Sequence, residues 1–507
     1  MKRVSYLLYS LLIALLLGLG TMLVVLIAAL SAAAQDAGPG RAGQPAALSL
    51  PQVIELTLAQ SAVARQAVTN RETSLWQYRS FRADYKPQLS LEGTLPDYSR
   101  TITPVTQQDG TTAFRYVRIN NSYLGTVVSQ NIGLTGGRVT VGSYLQRFDN
   151  FEGNQRLYNS NPISLGLTQP IGQFNTLVWA KRIEPLRFQE SQRQFAEERE
   201  TIARRVTELY FDVLQQQVNA AVARQNREVS EDMLRMGREK DKLGRISEND
   251  LLLLEQNLLN ARQAEVQAVV DEQNAALALK GYTGLSVDPA QPLAVPAATA
   301  ARRVNPDEAL RYARQYRREP LSFQRRLLEA DRGVAQAKGT TGLQASLTAS
   351  FGLTSSAESL PTSYQNPNNQ QQVRLGFSMP LVDWGKTRAV VKTAELSRQQ
   401  VQHTVEQEQL TFEQQVLSQV AQLDALEQQL TLASRADSLA QRRYAITRAT
   451  YQVGRLSLTD LNIAQQDKDR AKRAYIAALR ACWVAYYQLR TLTLFDFERQ
   501  EPLLTAG

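Results

Sequence analysis

The stretches KLGRISENDL at residues 242–251 and YQVGRLSLTDL at residues 451–461 are two copies of one motif, and their glycines are 210 residues apart. The same separation recurs upstream, where Pro170 in GLTQP and Pro380 in GFSMP differ by 210 positions (380 − 170). A spacing that holds without a gap over about 95 residues indicates that one structural unit was duplicated.

Long helices are expected on both sides of each motif. The flanking segments are rich in Gln, Glu, Arg, Ala and Leu and nearly free of Gly and Pro, a composition typical of coiled coils. Gly244 and Gly454 favour the end of a helix, and Ser247 and Ser457 can cap the next one. Each unit is therefore predicted to end in a tight helical hairpin. The predicted helices are about 50–85, 185–243 and 247–281 in the first unit and 306–338, 387–453 and 457–490 in the second.

Alternating segments that precede the long helices predict β-strands. Leu343, Leu347 and Phe351 alternate with polar residues, a period that fits a strand between lipid and a wet lumen, or any half-buried strand of a soluble sandwich. Strands are expected at about 343–380 in the second unit and at about 87–170 in the first.

The first unit carries an insert at about 96–160 that has no counterpart in the second. Within it, segments 126–130 and 139–144 can form a hairpin around Gly136 and Gly137. The position of this insert does not follow from the sequence.

Composition and residue counts exclude several functions. Apolar residues make up 43% of the chain and charged residues 21%, so disorder is not expected. The net charge of +9 is spread along the helices without a compact basic patch, which argues against nucleic acid as a partner. The single Cys482 and the single His403 leave little basis for a metal site or a Cys–His pair, and no catalytic motif is present. No enzyme activity, metal or cofactor is predicted.

The N-terminus has the pattern of a signal peptide at residues 1–34. Lys2 and Arg3 precede an apolar run over 6–30, and 32–34 offers an A-x-A cleavage site. The length of the run leaves an uncleaved membrane anchor as an alternative. No comparable apolar stretch follows, so a membrane protein with this sequence requires a β-barrel.

One chain cannot close such a barrel. Two strand pairs supply about four strands, whereas barrels start at about eight, and an open edge in lipid leaves backbone groups unpaired. Several copies must share one barrel, and a trimer would supply about twelve strands. The predicted fold class is an α+β membrane protein whose shared barrel continues into a long helical cylinder.

At this point the residues resemble a known family. ISLGLTQPI at 163–171, VTELYFDVL at 206–214 and the two motifs are similar to stretches of TolC-like outer membrane efflux proteins. The resemblance implies a homotrimer in outer membrane lipid with an α-helical periplasmic tunnel. It also implies a passive duct from periplasm to exterior in a tripartite efflux or export system. The partners it implies are a periplasmic adaptor (membrane fusion) protein and an inner-membrane transporter, which would supply the energy.

The resemblance also assigns roles to the hairpin tips. Asp460 matches the first of two aspartates that close the tunnel as a ring in the family, but Ile463 stands where the second is expected. The alternative for Asp460 is a carboxylate favoured by the start of a helix. The tip residues that match the adaptor-docking positions are Leu243, Gly244, Arg245, Val453, Gly454 and Arg455.

The predicted organisation divides the chain into two repeats, and one alternative function stays open. That alternative is a non-conducting periplasm-spanning scaffold or adaptor, held by the N-terminal segment. The predicted divisions are a signal peptide at 1–34, a first repeat at 35–285, a Pro/Ala linker at 286–305, a second repeat at 306–496 and a C-terminal tail at 497–507.

Overall fold

The computed structural model describes residues 47–504 except 245, 286–290, 298–303 and 454, so the predicted signal peptide lies outside the described residues. The described residues form eight α-helices and nine β-strands. The helices are α1 (Leu50–Gln60), α2 (Ala62–Ala83), α3 (Thr176–Lys242), α4 (Glu248–Thr283), α5 (Pro306–Tyr316), α6 (Glu319–Thr341), α7 (Lys386–Gln452) and α8 (Leu458–Thr493). The strands are β1 (Gln88–Thr94), β2 (Tyr98–Thr106), β3 (Thr112–Ile132), β4 (Gly137–Asn150), β5 (Gln155–Ile171), β6 (Gln344–Ala357), β7 (Asn368–Ser378), β8 (Phe495–Asp496) and β9 (Glu501–Pro502).

The two units repeat the same helices with equal lengths. α3 and α7 each have 67 residues, and α4 and α8 each have 36. Leu50 and Pro306, which begin α1 and α5, are 256 residues apart (306 − 50), whereas Thr176 and Lys386, which begin α3 and α7, are 210 apart (386 − 176). The first unit is therefore longer by 46 residues (256 − 210), all of them between the starts of α1 and α3.

The long helices form a helical wall, which we define as α4, α3, α8 and α7 side by side in that order. α3 packs against both α4 and α8, and α7 packs against α8. Nearer the strands, α2 and α6 take the places of α4 and α8 beside α3 and α7. The main apolar core lies where the short helices α1 and α5 cover the wall, around Val206, Tyr210, Val416 and Leu479.

A buried ionic cluster fastens the end of α8 to α3 in this region. The guanidinium of Arg490 donates to both carboxylate oxygens of Glu200, at 2.9 and 3.1 Å, and to Asp496 at 2.9 Å. The hydroxyl of Tyr486 donates to the other oxygen of Asp496 at 2.7 Å. Both carboxylates are thus paired in the interior, where an unpaired charge is costly.

Three helix limits differ from those expected, each for a local reason. α3 begins at Thr176 rather than near 185, because the side chain of Asn175 caps it and Pro185 is accommodated inside the helix. The segment 50–85 is broken at Ser61, which is extended and accepts a hydrogen bond from the first turn of α2. The segment 306–338 is broken at Arg317, whose backbone is extended.

The main sheet has more strands than the four expected. The order is β1-β3-β4-β5-β6-β7, all antiparallel, and β2 pairs with the far part of β3 along the same edge as β1. The difference comes from the insert, whose residues build the β3–β4 hairpin between β1 and β5. Six strands therefore lie side by side in one chain.

Candidate functional site: the helical hairpin tips

The first hairpin tip is the turn between α3 and α4. The N–H of Gly244 donates to the carbonyl of Asp241 at 2.8 Å, and Gly244 has a φ of +68°, which favours glycine. The hydroxyl of Ser247 accepts from the N–H of Asp250 at 3.1 Å and donates to its carboxylate at 2.7 Å. The turn therefore stops one helix and caps the next within five residues, 243–247.

The second tip repeats this cap between α7 and α8. The hydroxyl of Ser457 accepts from the N–H of Asp460 at 3.2 Å and donates to its carboxylate at 2.6 Å. The backbone N–H of Ser457 also donates to that carboxylate at 3.2 Å, which completes a capping box. The N–H of Arg455 donates to the carbonyl of Thr450 at 3.2 Å. The predicted tip residues Arg245 and Gly454 lie outside the described residues.

The two tips lie side by side and present apolar side chains to solvent. Leu243 is 67% exposed and Val453 is 69% exposed. The ammonium of Lys240 on α3 lies 5.9 Å from the ring centre of Tyr451 on α7, so the ends of the hairpins are in reach of each other. Exposed apolar residues at the extremity of a long helical hairpin are suited to contact another protein.

Asp460 has a clear structural role at its tip. Hydrogen bonds from the side chain and backbone of Ser457 hold the pKa of this exposed carboxyl below its usual value, so it is charged at neutral pH. Ile463, one turn further along α8, is 46% exposed. The geometry within one chain therefore supports the interpretation of Asp460 as a carboxylate favoured by the start of a helix.

The two helices of each hairpin pack closely just behind the tip, and the smaller of the two contacting residues lies on a different helix in each hairpin. A Cβ on Gly237 of α3 would approach Leu254 of α4 to 2.6 Å, so glycine makes room for leucine there. The equivalent positions 210 residues later hold Thr447 and Ala464, which places the larger residue on the other helix. Each hairpin thus keeps its own apolar tip cluster, around Leu254 in the first and around Ala464 in the second.

The junction between the two hairpins is mainly polar, although Met233 of α3 also packs against the apolar cluster of the second hairpin. The amide of Asn226 on α3 donates to Asp469 of α8 at 2.8 Å and accepts from Gln465 at 2.6 Å. Lys468 donates to Gln225 at 3.2 Å. Polar side chains therefore supply most of the contacts between the hairpins here, whereas an apolar cluster joins the two helices within each hairpin.

The outer helices of the wall carry unpartnered apolar stripes. On α7, Leu432, Leu439 and Ile446 are 67%, 69% and 59% exposed. Two positions before each of these residues, a buried side chain faces the rest of the wall. Two positions correspond to about 200° around a helix, so the exposed residue lies nearly opposite the buried one. We call these three residues the α7 stripe. It lies on the side of α7 that points away from α8.

α4 carries the matching feature at the opposite edge. Leu252, Leu259 and Val266, the α4 stripe, are 58%, 65% and 67% exposed. Leu254 and Ala268, two residues after the first and last of them, are buried. Neither stripe was among the residues predicted from the sequence, although the seven-residue spacing within each is a visible signal of helix packing.

The chemistry-bearing residues outside the tips do not converge. His403 lies on the surface of α7, with its ring nitrogen 3.4 Å from Glu406, and Cys482 is buried in the core. Among the described residues, no group of His, Cys, Asp and Glu side chains is arranged to hold a metal ion. None of the described helices has both the length and the apolar character needed to cross a membrane.

Together, the duplicated strand and helix units and the paired tips define the architecture of outer-membrane channel proteins. The model of the outer membrane efflux protein family matches residues 131–285 and 311–493, more than half of the chain. The chain belongs to the outer membrane efflux protein family. No curated protein matches the chain.

Solved structures share this fold at low sequence identity. The Campylobacter jejuni CmeC outer membrane channel matches with a TM-score of 0.63 and 16% identity, over 88% of this chain and 85% of its own. The open state of the Neisseria gonorrhoeae MtrE outer membrane channel matches with a TM-score of 0.61 and 16% identity, over 88% of both chains. The outer membrane protein VceC from Vibrio cholerae matches with a TM-score of 0.60 and 14% identity, over 88% of this chain and 95% of its own.

Proposed function

We propose that this protein is the outer membrane duct of a tripartite efflux or export system. Three copies share one β-barrel in the outer membrane, and their helical walls continue it as a tunnel through the periplasm. Solutes pass without chemical change and without a cofactor. An inner-membrane transporter supplies the energy and couples to the duct through a periplasmic adaptor.

The observation that carries the proposal is the pair of apolar stripes at the two edges of the helical wall. The α4 stripe of one copy and the α7 stripe of the next are both apolar and have seven-residue spacing, which suits knobs-into-holes packing. Because the two stripes differ and lie on opposite edges, the contact between copies is head to tail, and it closes into a ring of three when each copy is rotated by 120° from the last. The free edges of the sheet support the same arrangement.

The tips are the docking surface for the adaptor in this proposal. Leu243 and Val453 supply exposed apolar contacts, and Gly244 sets the shape of the turn. Arg245, Gly454 and Arg455 complete the surface by the family resemblance. Asp460 is charged at each second tip, so three copies around a narrow axis would repel one another and attract cations.

Photo-crosslinking from the tips tests the proposal in living cells. A crosslinking amino acid is placed at Leu243 or Val453, and adducts are identified by mass spectrometry. A matched control carries the same amino acid at His403, which is exposed on α7 far from the tips. Adducts with a periplasmic adaptor from the tips alone support the duct. Self-adducts alone, together with detergent-extracted protein that does not conduct in planar bilayers, would favour a non-conducting scaffold.

A further inference from the structure

The 46 extra residues of the first unit give the sheet two additional strands. β3 and β4 lie between β1 and β5, which occupy the places that β6 and β7 occupy in the second unit. We propose that this hairpin is part of the pore wall and that three copies close a barrel of eighteen strands rather than twelve. This inference rests on the trimeric channel proposed above and specifies its width.

An apolar row crosses the sheet without interruption at the extra strands. Leu89, Val128, Val141, Leu165 and Phe351 are directly opposite one another on five successive strands. They are between 36% and 74% exposed. Val128 and Val141 come from the extra hairpin, so β3 and β4 share the face that lipid would cover in a barrel.

The neighbouring row, on the opposite face, is polar or small on the five successive strands from β3 to β7. It consists of Ser129, Thr140, Gly166, Ser350 and Gln372. Successive residues of a strand point to opposite faces, so this row lines the wet side of the sheet. The extra strands therefore alternate in phase with the strands of both units.

The turn that joins β3 to β4 is fixed to the helices below the sheet. The amide of Asn175, which caps α3, donates to the carbonyls of Gly133 at 3.2 Å and Leu134 at 3.0 Å. Gln130 at the end of β3 donates to the carbonyl of Tyr85 at 2.9 Å. The β3–β4 turn thus lies at the end of the sheet next to the helices, where the strands of the duplicated units also join their helices. This position is expected for strands of the pore wall.

The directions of the two edge strands indicate that each edge can pair with a second copy of the chain. With six strands side by side and all antiparallel, β1 and β7 run in opposite directions. β7 of one copy can therefore pair antiparallel with β1 of a second copy, which an odd number of strands would prevent. Every described residue of Gln88–Thr94 and Asn368–Ser378 is exposed in the single chain. The occupant of each edge is a second copy of this chain.

The width of the larger barrel matches the helical tunnel. With strands about 4.8 Å apart and tilted by about 40°, eighteen strands give a diameter of about 36 Å, and twelve give about 24 Å. Twelve helices about 9.5 Å apart, four from each of three walls, form a cylinder of about 36 Å. Eighteen strands leave an open aqueous channel, so the duct would be continuous in width and would admit bulky solutes.

A deletion restores the second unit's spacing and tests the width. Removal of residues 107–152 takes out 46 residues (152 − 107 + 1) and connects β2 directly to the turn before β5. Trimers of both proteins are verified by native mass spectrometry. Polyethylene glycols of graded size are then added on the barrel side of a planar bilayer. We expect the largest polymer radius admitted to fall by about one third in the deletion variant. An unchanged radius in an intact trimer overturns the inference.

Two single-cysteine variants test whether the β3–β4 hairpin lies in the pore wall, even if the deletion variant does not fold. Thr140→Cys lies on the polar row and Val141→Cys on the apolar row of β4. We expect a membrane-impermeant maleimide to label Thr140→Cys in intact cells and to leave Val141→Cys unlabelled. The unmodified protein, whose Cys482 is buried, is the control. Labelling of Val141→Cys, or none of Thr140→Cys, places the hairpin outside the pore wall.

Failure of the proposed function gives a different result from failure of this inference. If the unmodified protein neither forms trimers nor conducts, the proposed function is wrong, and the proposed barrel of eighteen strands is wrong as well. If the unmodified protein conducts as a trimer and the deletion variant admits the same polymers, only the wider barrel is wrong.

Discussion

At the scale of single residues, Asp460 and Asp250 have the same local structure at the starts of their helices. Both carboxylates accept from the serine that caps their helix, at 2.6 Å for Asp460 and 2.7 Å for Asp250. The cap accounts for the presence of an acidic residue at both places. Any additional role of Asp460 in closing the tunnel must therefore come from its charge rather than from its hydrogen bonds.

Asp460→Asn separates these roles, because asparagine keeps an oxygen that accepts hydrogen bonds and loses the charge. We expect the ratio of cation to anion permeability to fall roughly threefold in planar bilayers, since a charged ring at a constriction selects cations. Asp250→Asn is the matched control and should leave selectivity unchanged. Equal selectivity in all three proteins would remove Asp460 from the gate and leave it as a helix cap.

Arg490 offers a second test at this scale. Burial raises the pKa of the Glu200 carboxyl; it also acts to raise that of Asp496, but Arg490 and Tyr486 lower the Asp496 pKa overall. Arg490→Met leaves both carboxylates buried without the guanidinium, which should cost about 3–5 kcal/mol in the free energy of unfolding. Arg398→Met, at a half-exposed pair with Asp331, should cost less than about 1 kcal/mol.

The pH dependence of the Arg490→Met variant has a defined sign. Without the guanidinium, burial raises the pKa of both carboxyls above their unfolded values, so the folded state binds protons that the unfolded state releases. The stability of the variant should therefore rise as the pH falls from about 7 to about 5. Thermal unfolding in detergent at several pH values measures this change. A variant that loses stability on acidification would show that Arg490 is not what keeps the two buried carboxylates charged.

At the scale of elements, the proposed contact between copies can be tested at the edges of the helical wall. Leu439→Glu places a charge in the centre of the α7 stripe. Because the stripe points away from its own chain's core, the wall of the single chain should stay folded, while burial of the charge between copies would cost about 3 kcal/mol or more. We expect the trimer to dissociate, as measured by native mass spectrometry.

Ser438→Glu is the control for this substitution. Ser438 is exposed on the same turn of α7 but lies about 100° around the helix from Leu439. We expect Ser438→Glu to form normal trimers. Trimers of normal stability in both variants would show that α7 is not at the boundary between copies.

The elements also show what the sequence could and could not predict. Glycine stops and serine caps, repeated 210 residues apart, identified the hairpin turns, because both signals act within a single turn of helix. The start of α3 was missed, because Pro185 looks like a helix start whereas the cap is supplied by Asn175. The breaks at Ser61 and Arg317 depend on how α1 and α5 fold over the core, which no local signal contains.

The position of the insert was the largest difference between the predicted and the observed fold, and it depends on which strands pair with one another. Its alternating residues indicated strands, but strand neighbours are set by contacts distant in sequence. Val141 pairs with both Val128 and Leu165, and only this placement continues the apolar row across the sheet. The hairpin turns, in contrast, had local signals in the sequence. The edge stripes have a seven-residue spacing that the sequence shows, but their position on the outer side of the wall was known only from their exposure in the structure.

At the scale of the whole molecule, the equal lengths of the duplicated helices are a constraint that can be tested. One heptad corresponds to about 10 Å along a helix. Removal of 224–230 and 261–267 shortens only the first hairpin and misaligns its contacts with α8. Removal of 434–440 and 471–477 as well shortens both hairpins equally.

We expect the shortening of one hairpin to prevent trimer formation, because the deletion shifts the tip-side part of α3 by one heptad against α8 and removes Asn226, which bonds to Asp469 and Gln465 of α8. Shortening of both should preserve the trimer and greatly reduce export, since the tips would fall short of the adaptor. Native mass spectrometry and an efflux assay in cells measure the two effects. Normal trimers after shortening of a single hairpin would show that the two hairpins do not need to be level.

The unequal insert gives the two ends of the molecule different symmetry. In the proposed three-copy assembly, the helices of the two units are alike in length and capping, so the end that bears the tips would repeat almost every 60° and offer six similar tips. The sheet has the extra hairpin in only one unit, so the opposite end repeats only every 120°. In the proposed assembly, an adaptor at the tips would therefore meet a sixfold target made by three chains, whereas the medium outside the cell would meet a strictly threefold surface.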